Sequence, residues 1–222
     1  MHQIYIASAV TTIFTFFLAG AFIRWRSHPE DREFLLKILL IELPMAFIAF
    51  YLIRMPVIDN LFRMMFGSDQ NLYLFMKNFY APLTEEPAKI FPLVFPFVRK
   101  RITKENFVVA AMALGLGFGI GEIWLLGKFI AESTTDAMPW YHYAGFMNER
   151  LMVCIVHSGM TAFVLSRPKN SLLLGLLGGM FLHFAGNFPI YLSAIKFAGL
   201  GKESWLVILQ VWVALFFMGM LI

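Results

Sequence analysis

Seven apolar runs, each long enough to cross a lipid bilayer, follow one another along this chain of 222 residues. A helix rises about 1.5 Å per residue, so about 20 residues cross a hydrocarbon core about 30 Å thick. Only 14% of the residues are charged, whereas a soluble domain usually carries about 25%. The sequence therefore predicts an integral membrane protein, an all-α transmembrane bundle of about seven spans. The predicted spans are residues 3–23, 35–53, 72–98, 107–131, 150–166, 171–195 and 205–222.

No internal repeat, low-complexity segment or flexible linker divides the chain. Residues 1–222 are therefore interpreted as a single membrane domain. Arg24 and Arg26 follow the first apolar run, whereas a secretory signal peptide carries its basic residues before that run. We therefore expect this run to stay in the protein as its first helix. Cys154 is the one cysteine, which excludes an intrachain disulfide.

The second and third predicted spans are the least regular. The third contains four prolines, which lack a backbone N–H, and this predicts a kinked or broken helix. The second contains Lys37 and Glu42, which we expect to pair near a helix end. Residues 56–70 mix apolar and polar positions, which favours a segment lying along the membrane interface. The prolines are Pro82, Pro87, Pro92 and Pro96.

The number of basic residues alternates between successive connecting segments. The first, third and fifth segments hold nine Lys and Arg residues, and the second, fourth and sixth hold five. Because cytoplasmic segments carry the excess of basic residues, we expect the N-terminus outside and the C-terminus in the cytoplasm. The nine are Arg24, Arg26, Arg32, Arg99, Lys100, Arg101, Lys104, Arg167 and Lys169, and the five are Arg54, Arg63, Arg150, Lys196 and Lys202.

Ionisable and amide side chains lie deep within four of the predicted spans. At about 1.5 Å per residue, they fall roughly 15–27 Å from the nearest cytoplasmic basic residue. An isolated charge there costs about 2.5–3.5 kcal/mol on insertion scales. Groups that costly normally face one another or a wet cavity, so we expect them to line one site. They are Glu85, Glu86 and Lys89 in the third run, Glu122 in the fourth, His157 in the fifth, and His183 and Asn187 in the sixth.

The spacing within each run favours convergence on that site. Lys89 lies four positions after Glu85 and three after Glu86, so it can pair with either carboxylate. His183 and Asn187 are four positions apart and share one helix face. Small residues let neighbouring helices approach closely in a membrane. Such residues precede Glu122, at Gly115, Gly117, Gly119 and Gly121, and surround His183, at Gly175, Gly178, Gly179 and Gly186.

Two kinds of water-activating chemistry are open to these side chains. In the first, Glu86, with Glu85 as its partner, is the general base for hydrolysis. Histidine and amide N–H groups then stabilise the oxyanion. In the second, His157, His183 and Glu122 hold a zinc ion whose fourth position takes a water. The helical H-E-x-x-H arrangement of many zinc proteases is absent.

Four short motifs, each in its own span and in the same order, resemble the PrsW family of intramembrane proteases. The sequence EEPAK fits E-E-x-x-K, Phe118 to Glu122 fits F-x-x-x-E, His157 stands alone, and HFAGN fits H-x-x-x-N. The family is related to the type II CAAX prenyl endopeptidases and the bacterial CPBP proteins. The CAAX branch typically has E-E-x-x-x-R and F-x-x-x-H, so Lys89 and Glu122 indicate the PrsW branch. The resemblance covers residues 72–195, which form the motif-bearing core.

The resemblance implies an intramembrane endopeptidase, either a metalloprotease or a glutamate protease. Its implied substrate is a single-span, membrane-anchored protein of the anti-sigma-factor type. Its implied location is a bacterial or archaeal cell membrane. The expected partners are this substrate and the lipid bilayer, with no nucleic acid. The implied catalytic residues are Glu85, Glu86, Glu122, His157, His183 and Asn187, with Lys89 and Phe118 in support.

Two other classes of protein remain open. A non-catalytic membrane scaffold can keep a fold after its chemistry is lost. A proton-coupled transporter also gathers Glu, Lys and His at mid-membrane and uses broken helices. The lack of an internal repeat argues against the transporter, and the set of chemically capable side chains argues against the scaffold.

Overall fold

The computed structural model describes residues 2–133, 138–167 and 171–221, and the ordered elements among them are all helices. This confirms the prediction of an all-α protein. In chain order the α-helices are α1 Gln3–Arg26, α2 Pro29–Glu42, α3 Met45–Phe47, α4 Asn60–Phe66, α5 Gln70–Lys77, α6 Tyr80–Ile90, α7 Pro96–Arg101, α8 Phe107–Ser133, α9 Ala144–Leu165, α10 Leu172–Ala194 and α11 Lys202–Met220. A π-helical segment, Ile48–Asp59, joins α3 to α4, and short 3₁₀ turns are found at Phe91–Val94, Trp140–Tyr143 and Phe197–Gly199.

Five helical stretches of the described chain are long and apolar enough to cross a membrane. They support the prediction of an integral membrane protein. The remaining two predicted spans take other forms. Residues 72–98 are divided among α5, α6, a 3₁₀ turn and α7, as the prolines predict. The predicted span 150–166 corresponds to α9, a helix of 22 residues that ends at Leu165. The five stretches are Gln3–Arg26, Pro29–Phe66, Phe107–Ser133, Leu172–Ala194 and Glu203–Met220.

The second stretch differs from the sequence prediction at both ends. Residues 56–66 do not form a separate segment but continue the helical stretch Pro29–Phe66. Pro44 has no N–H to donate back along the helix, and the helix is interrupted there by a turn. The expected pairing of Lys37 with Glu42 is wrong. Lys37 pairs instead with Glu33, four positions earlier, whereas side chains five positions apart point away from each other on a helix.

Helix α8 is the centre of the bundle and packs against α1, α2 and α9. Of the residues in its apolar stretch, 78% are buried, compared with 6% of those in the stretch of α11. Of its five glycines, Gly115 and Gly119 meet the backbone of α9, Gly117 and Gly121 meet residues at the end of α2, and Gly127 faces α1. A methyl group at Gly115 would overlap the backbone of Ser158. The glycines of α8 therefore allow both neighbouring helices to approach closely, as the sequence predicts.

Two basic residues that the sequence assigned to connecting segments turn towards the protein interior. Arg54 belongs to the π-helical segment, and Arg150 lies in α9, where it is buried. Both contact carboxylates of the protein interior. Neither is a connecting-segment charge, so the predicted imbalance between the two membrane sides increases. The predicted orientation stays a prediction, and Lys169, which contributed to it, lies outside the described residues.

Candidate functional site

The short helix α6 carries both adjacent glutamates and Lys89 into the protein interior. Glu85, Glu86 and Lys89 are all buried, and Lys89 is 0% exposed. Helix α6 packs against α10, the π-helical segment, α8 and α9, so each polar group meets a different neighbour. The ionisable residues of this run face protein rather than lipid, as their cost in hydrocarbon requires.

Glu86 is held by two partners at one oxygen. Its Oε1 lies 2.5 Å from Nζ of Lys89 and 2.6 Å from Nδ1 of His183 on α10. A carboxylate oxygen can only accept, so Nδ1 of His183 carries the hydrogen and donates it. Such charge-assisted contacts are short and strong. Glu86 thereby fixes both the ring orientation and the tautomer of His183.

The other ring nitrogen of His183 faces Glu85. Nε2 lies 3.7 Å from Oε2 of Glu85. In the neutral ring with its hydrogen on Nδ1, Nε2 carries a lone pair. Oε2 of Glu85 is buried and has no hydrogen-bond partner among the described residues. A buried polar atom without a partner is uncommon and calls for an explanation. With His183 neutral, two acceptor atoms face each other, and neither accepts a hydrogen bond from the described residues.

His157 on α9 lies next to His183, with 5.6 Å between the ring centroids. Its Nδ1 lies 3.1 Å from Nζ of Lys89, and its Nε2 lies 3.0 Å from Oε2 of Glu122. Lysine only donates, so Nδ1 accepts and Nε2 donates to the carboxylate. Phe118, expected to support the site, packs edge-on against this ring at 5.4 Å and forms an apolar wall beside it.

Two arginines complete the site, and the sequence reasoning missed both. Nη2 of Arg54 lies 2.5 Å from Oε1 of Glu85, and the same side chain donates to Thr84. Nη1 of Arg150 lies 3.1 Å from Oε2 of Glu122. Arg150 precedes His157 by seven positions, which places both on one helix face, and this spacing was the available signal. Nothing in the sequence pairs Arg54 with Glu85.

Three buried side chains could together hold a metal ion. A ligand atom from each of Glu85, His157 and His183 lies within 4.8 Å of the other two. The sequence predicted Glu122 in place of Glu85, and the structure differs because Glu122 is taken up by Arg150 and His157. In tetrahedral zinc sites with bonds of about 2.1 Å, ligand atoms lie about 3.4 Å apart. To bind zinc, these ligand atoms would approach one another by up to about 1.4 Å, and His157 would release one of its two contacts.

Asn187 lies at the edge of this cluster, one turn after His183. Together with His157 and His183 it lines a gap of about 50 Å³ between α9, α10 and α11. Glu86 is not among the residues that line this gap. The structure therefore joins five of the six predicted site residues by direct contacts and places Asn187 beside them.

Comparison with family models, curated proteins and solved structures finds no match to this chain. The resemblance to the PrsW family therefore rests on the four short motifs.

Proposed function

We propose that this protein is a PrsW-like intramembrane endopeptidase that hydrolyses peptide bonds of membrane-anchored proteins. The observation that carries the proposal is the 3.7 Å approach of Oε2 of Glu85 to Nε2 of His183. In the proposal both atoms are acceptors. Arg54 holds the other oxygen of Glu85, and Glu86 holds the other ring nitrogen of His183. A water placed about 2.8 Å from each would donate both of its hydrogens to them. Its oxygen lone pairs would then face the substrate.

In this proposal Glu85 is the general base and Glu86 is a positioning residue. Glu86 is 1% exposed, and its Oε1 is shared by Lys89 and His183, so it has little freedom to reach a substrate. Glu85 is held by Arg54 at Oε1 and presents Oε2. This reverses the order of the two glutamates that the sequence favoured.

The proposed reaction moves one proton twice. The water gives a proton to Oε2 of Glu85 as its oxygen bonds to the carbonyl carbon of the peptide. The carbonyl oxygen then carries the negative charge, and the side-chain amide of Asn187 is a neutral donor to it from the same wall as His183. Glu85 returns the proton to the leaving nitrogen as the carbon–nitrogen bond breaks.

The residues around this water also allow zinc-assisted chemistry. A zinc ion bound by Glu85, His157 and His183 would lower the pKa of a bound water and polarise the carbonyl. The positions of Arg54, Glu86 and Asn187 would serve either form of the reaction. Each would orient a ligand or hold charge close to the same water.

The proposed function requires a particular number of membrane crossings and a particular orientation. We propose seven crossings, of which the irregular chain from α5 to α7 and helix α9 supply two. The N-terminus lies outside and the C-terminus in the cytoplasm of a bacterial or archaeal membrane. The proposed substrate is a single-span protein of the anti-sigma-factor type. Residues 54–70 then lie on the outer side of the site, where the cleaved segment would approach.

A cleavage assay with defined peptides tests the proposal. Purified protein in lipid nanodiscs is incubated with a panel of single-span peptides, and the products are identified by mass spectrometry. We expect internal cleavage by the native chain and loss of at least about 100-fold in rate for Glu85→Gln. Arg24→Gln, an exposed change in α1, is the matched control and should cleave normally. No cleavage by a folded native chain across the panel would contradict the proposal.

One observation favours a proton-coupled transporter as the second candidate. A continuous series of contacts joins Arg150, Glu122, His157, Lys89, Glu86 and His183. Such a series can pass protons between neighbouring groups. Reconstituted protein that acidifies vesicles along a proton gradient, and leaves all peptides intact, would favour this function over proteolysis.

A further inference from the structure

A second, larger cavity adjoins the site, and nothing in the proposed reaction uses it. Its volume is about 530 Å³, and it lies between the π-helical segment, α5, α6 and α10. Its lining is mostly apolar, with Phe50, Leu74 and Ile190 among the lining residues. Cavities of this size and character bind small molecules or short chain segments.

Two residues belong both to this cavity and to the catalytic cluster. Arg54 lines the cavity and holds Oε1 of Glu85. Asn187 lines the cavity and also the small gap with His157 and His183. A group that occupies the cavity can therefore contact Arg54 or Asn187, and these two side chains lie beside the proposed water.

The charged residues of the lining are unbalanced. Arg54, Arg63 and Lys77 are positive, and Asp59 is the one carboxylate among the residues lining the cavity. Asp59 is already occupied, because Arg63 lies 2.8 Å from Oδ2 and two tyrosine hydroxyls donate to Oδ1.

Lys77 is exposed and has no hydrogen-bond or ion-pair partner among the described residues. Arg54 is paired with Glu85, and Arg63 with Asp59. Lys77 therefore supplies one unpaired positive charge to the lining, beside the apolar wall.

We propose that this cavity binds the substrate segment beside the scissile bond and selects a segment with an acidic side chain next to an apolar one. The inference rests on the proposed function, since it names the substrate class of the same site. The acidic group meets Lys77, while the apolar neighbour packs against Phe50 and Ile190. The peptide bond is then held at the wall formed by Asn187.

The test compares two peptides that differ in one atom group. Both carry the same single apolar span, and the residue beside the cleaved bond is Glu in one and Gln in the other. Cleavage is measured as kcat/KM in phosphatidylcholine nanodiscs. We expect the native chain to prefer the Glu peptide about fivefold, a size typical of partly exposed charges.

Matched variants assign the preference to the cavity. Lys77→Gln should remove most of the preference. Lys37→Gln should retain it, because Lys37 is also an exposed helical lysine but does not line this cavity. Equal cleavage of both peptides by the native chain overturns the inference and leaves the proposed function standing. Loss of preference in Lys37→Gln as well would assign it to general surface charge, which also overturns the inference.

A binding measurement separates this inference from the proposed function. A photo-crosslinking residue is placed at Ile190, which lines the cavity, and in a control at Phe181, which is exposed on the same helix but does not line it. We expect the Glu peptide to crosslink from position 190 at least about fivefold more than from position 181. Preferential crosslinking without any cleavage would retain the binding site and reject the protease.

Lipid is the remaining occupant to distinguish. The crosslinking is repeated in nanodiscs that contain phosphatidylglycerol, whose headgroup is anionic. We expect the Glu peptide to keep its advantage over the Gln peptide. If the anionic lipid abolishes that advantage, the cavity binds lipid headgroups, and its assignment to the substrate is overturned.

Discussion

Oε1 of Glu86 lies 2.6 Å from Nδ1 of His183, although the two residues are 97 positions apart in the chain. This contact fixes which nitrogen of His183 carries a hydrogen and which faces Glu85. Lys89 holds the same oxygen from the other side. The adjacent glutamates therefore differ in their contacts. Glu86 orients a histidine, whereas Oε2 of Glu85 accepts no hydrogen bond from the described residues.

The two glutamates should respond differently to the same substitution. Glu85→Gln should lower cleavage by about 10²–10⁴-fold, since it removes the proposed base. It should destabilise the protein less than Glu86→Gln does, because its partner Arg54 is 16% exposed and keeps its bonds to Thr84. Glu86→Gln should also lower cleavage, and it should destabilise the protein by about 3–5 kcal/mol because it leaves Lys89 buried without a counter-charge. Peptide cleavage and chemical unfolding in detergent measure the two effects. Large destabilisation by Glu85→Gln and little by Glu86→Gln would reverse the assignment.

Much of the site could be predicted because hydrocarbon makes polar groups costly. Glu85, Glu86, Glu122 and His183 stand out in apolar runs, and their similar depth indicates that they meet. The structure brings these residues into one buried cluster. The helix period also predicted that Lys89 pairs with Glu85 or Glu86, and the structure pairs it with Glu86.

The identity of each partner could not be predicted in the same way. Arg54 and Arg150 lie close to the ends of apolar runs, where basic residues usually belong to connecting segments. Only the tertiary fold turns them towards Glu85 and Glu122. For the same reason the sequence could not decide which carboxylate joins the histidines in a metal-capable group. Glu122 is a less suitable ligand in the structure because Arg150 contacts its carboxylate.

Metal binding should follow the carboxylate that the structure groups with the histidines. If zinc binds, its stoichiometric uptake by the purified chain should be lost in Glu85→Gln and in His183→Ala. It should persist in Glu122→Gln, because Glu122 is held by Arg150. Equilibrium dialysis followed by elemental analysis measures the bound zinc. Zinc that survives Glu85→Gln but is lost in Glu122→Gln would restore the set His157, His183 and Glu122.

The close approach of α8 to α9 should be sensitive to a single methyl group. Gly115→Ala places that methyl group against the backbone of Ser158 and His157, and such overpacking typically costs about 1–3 kcal/mol. Because His157 is displaced, cleavage should also fall. Gly20→Ala in α1 is the control, since nothing lies within 4 Å of its added methyl group. Equal unfolding free energies for the two variants would contradict the packing described for α8.

The orientation can be tested with single cysteines. Native Cys154 is 1% exposed, so it should not react with a membrane-impermeant maleimide. Ser68→Cys should be labelled from outside intact cells, and Lys100→Cys only after the cells are opened; both positions are exposed. We expect this pattern because basic residues are concentrated around Lys100, and such segments usually lie in the cytoplasm. Labelling of position 100 in intact cells would place the N-terminus inside.

Glu42 should be the one buried glutamate whose removal stabilises the protein. It is 0% exposed, and neither of its oxygens has a hydrogen-bond partner among the described residues. Burying an unpartnered carboxyl group costs about 1–3 kcal/mol even when it is neutral. Glu42→Leu has a similar volume and should therefore raise the unfolding free energy by up to that amount, while cleavage stays within about twofold. Glu86→Leu is the contrasting variant, because it removes the partner of Lys89 and should destabilise the protein. Destabilisation by Glu42→Leu of the same size as by Glu86→Leu would mean that Glu42 is charged and paired within the working protein.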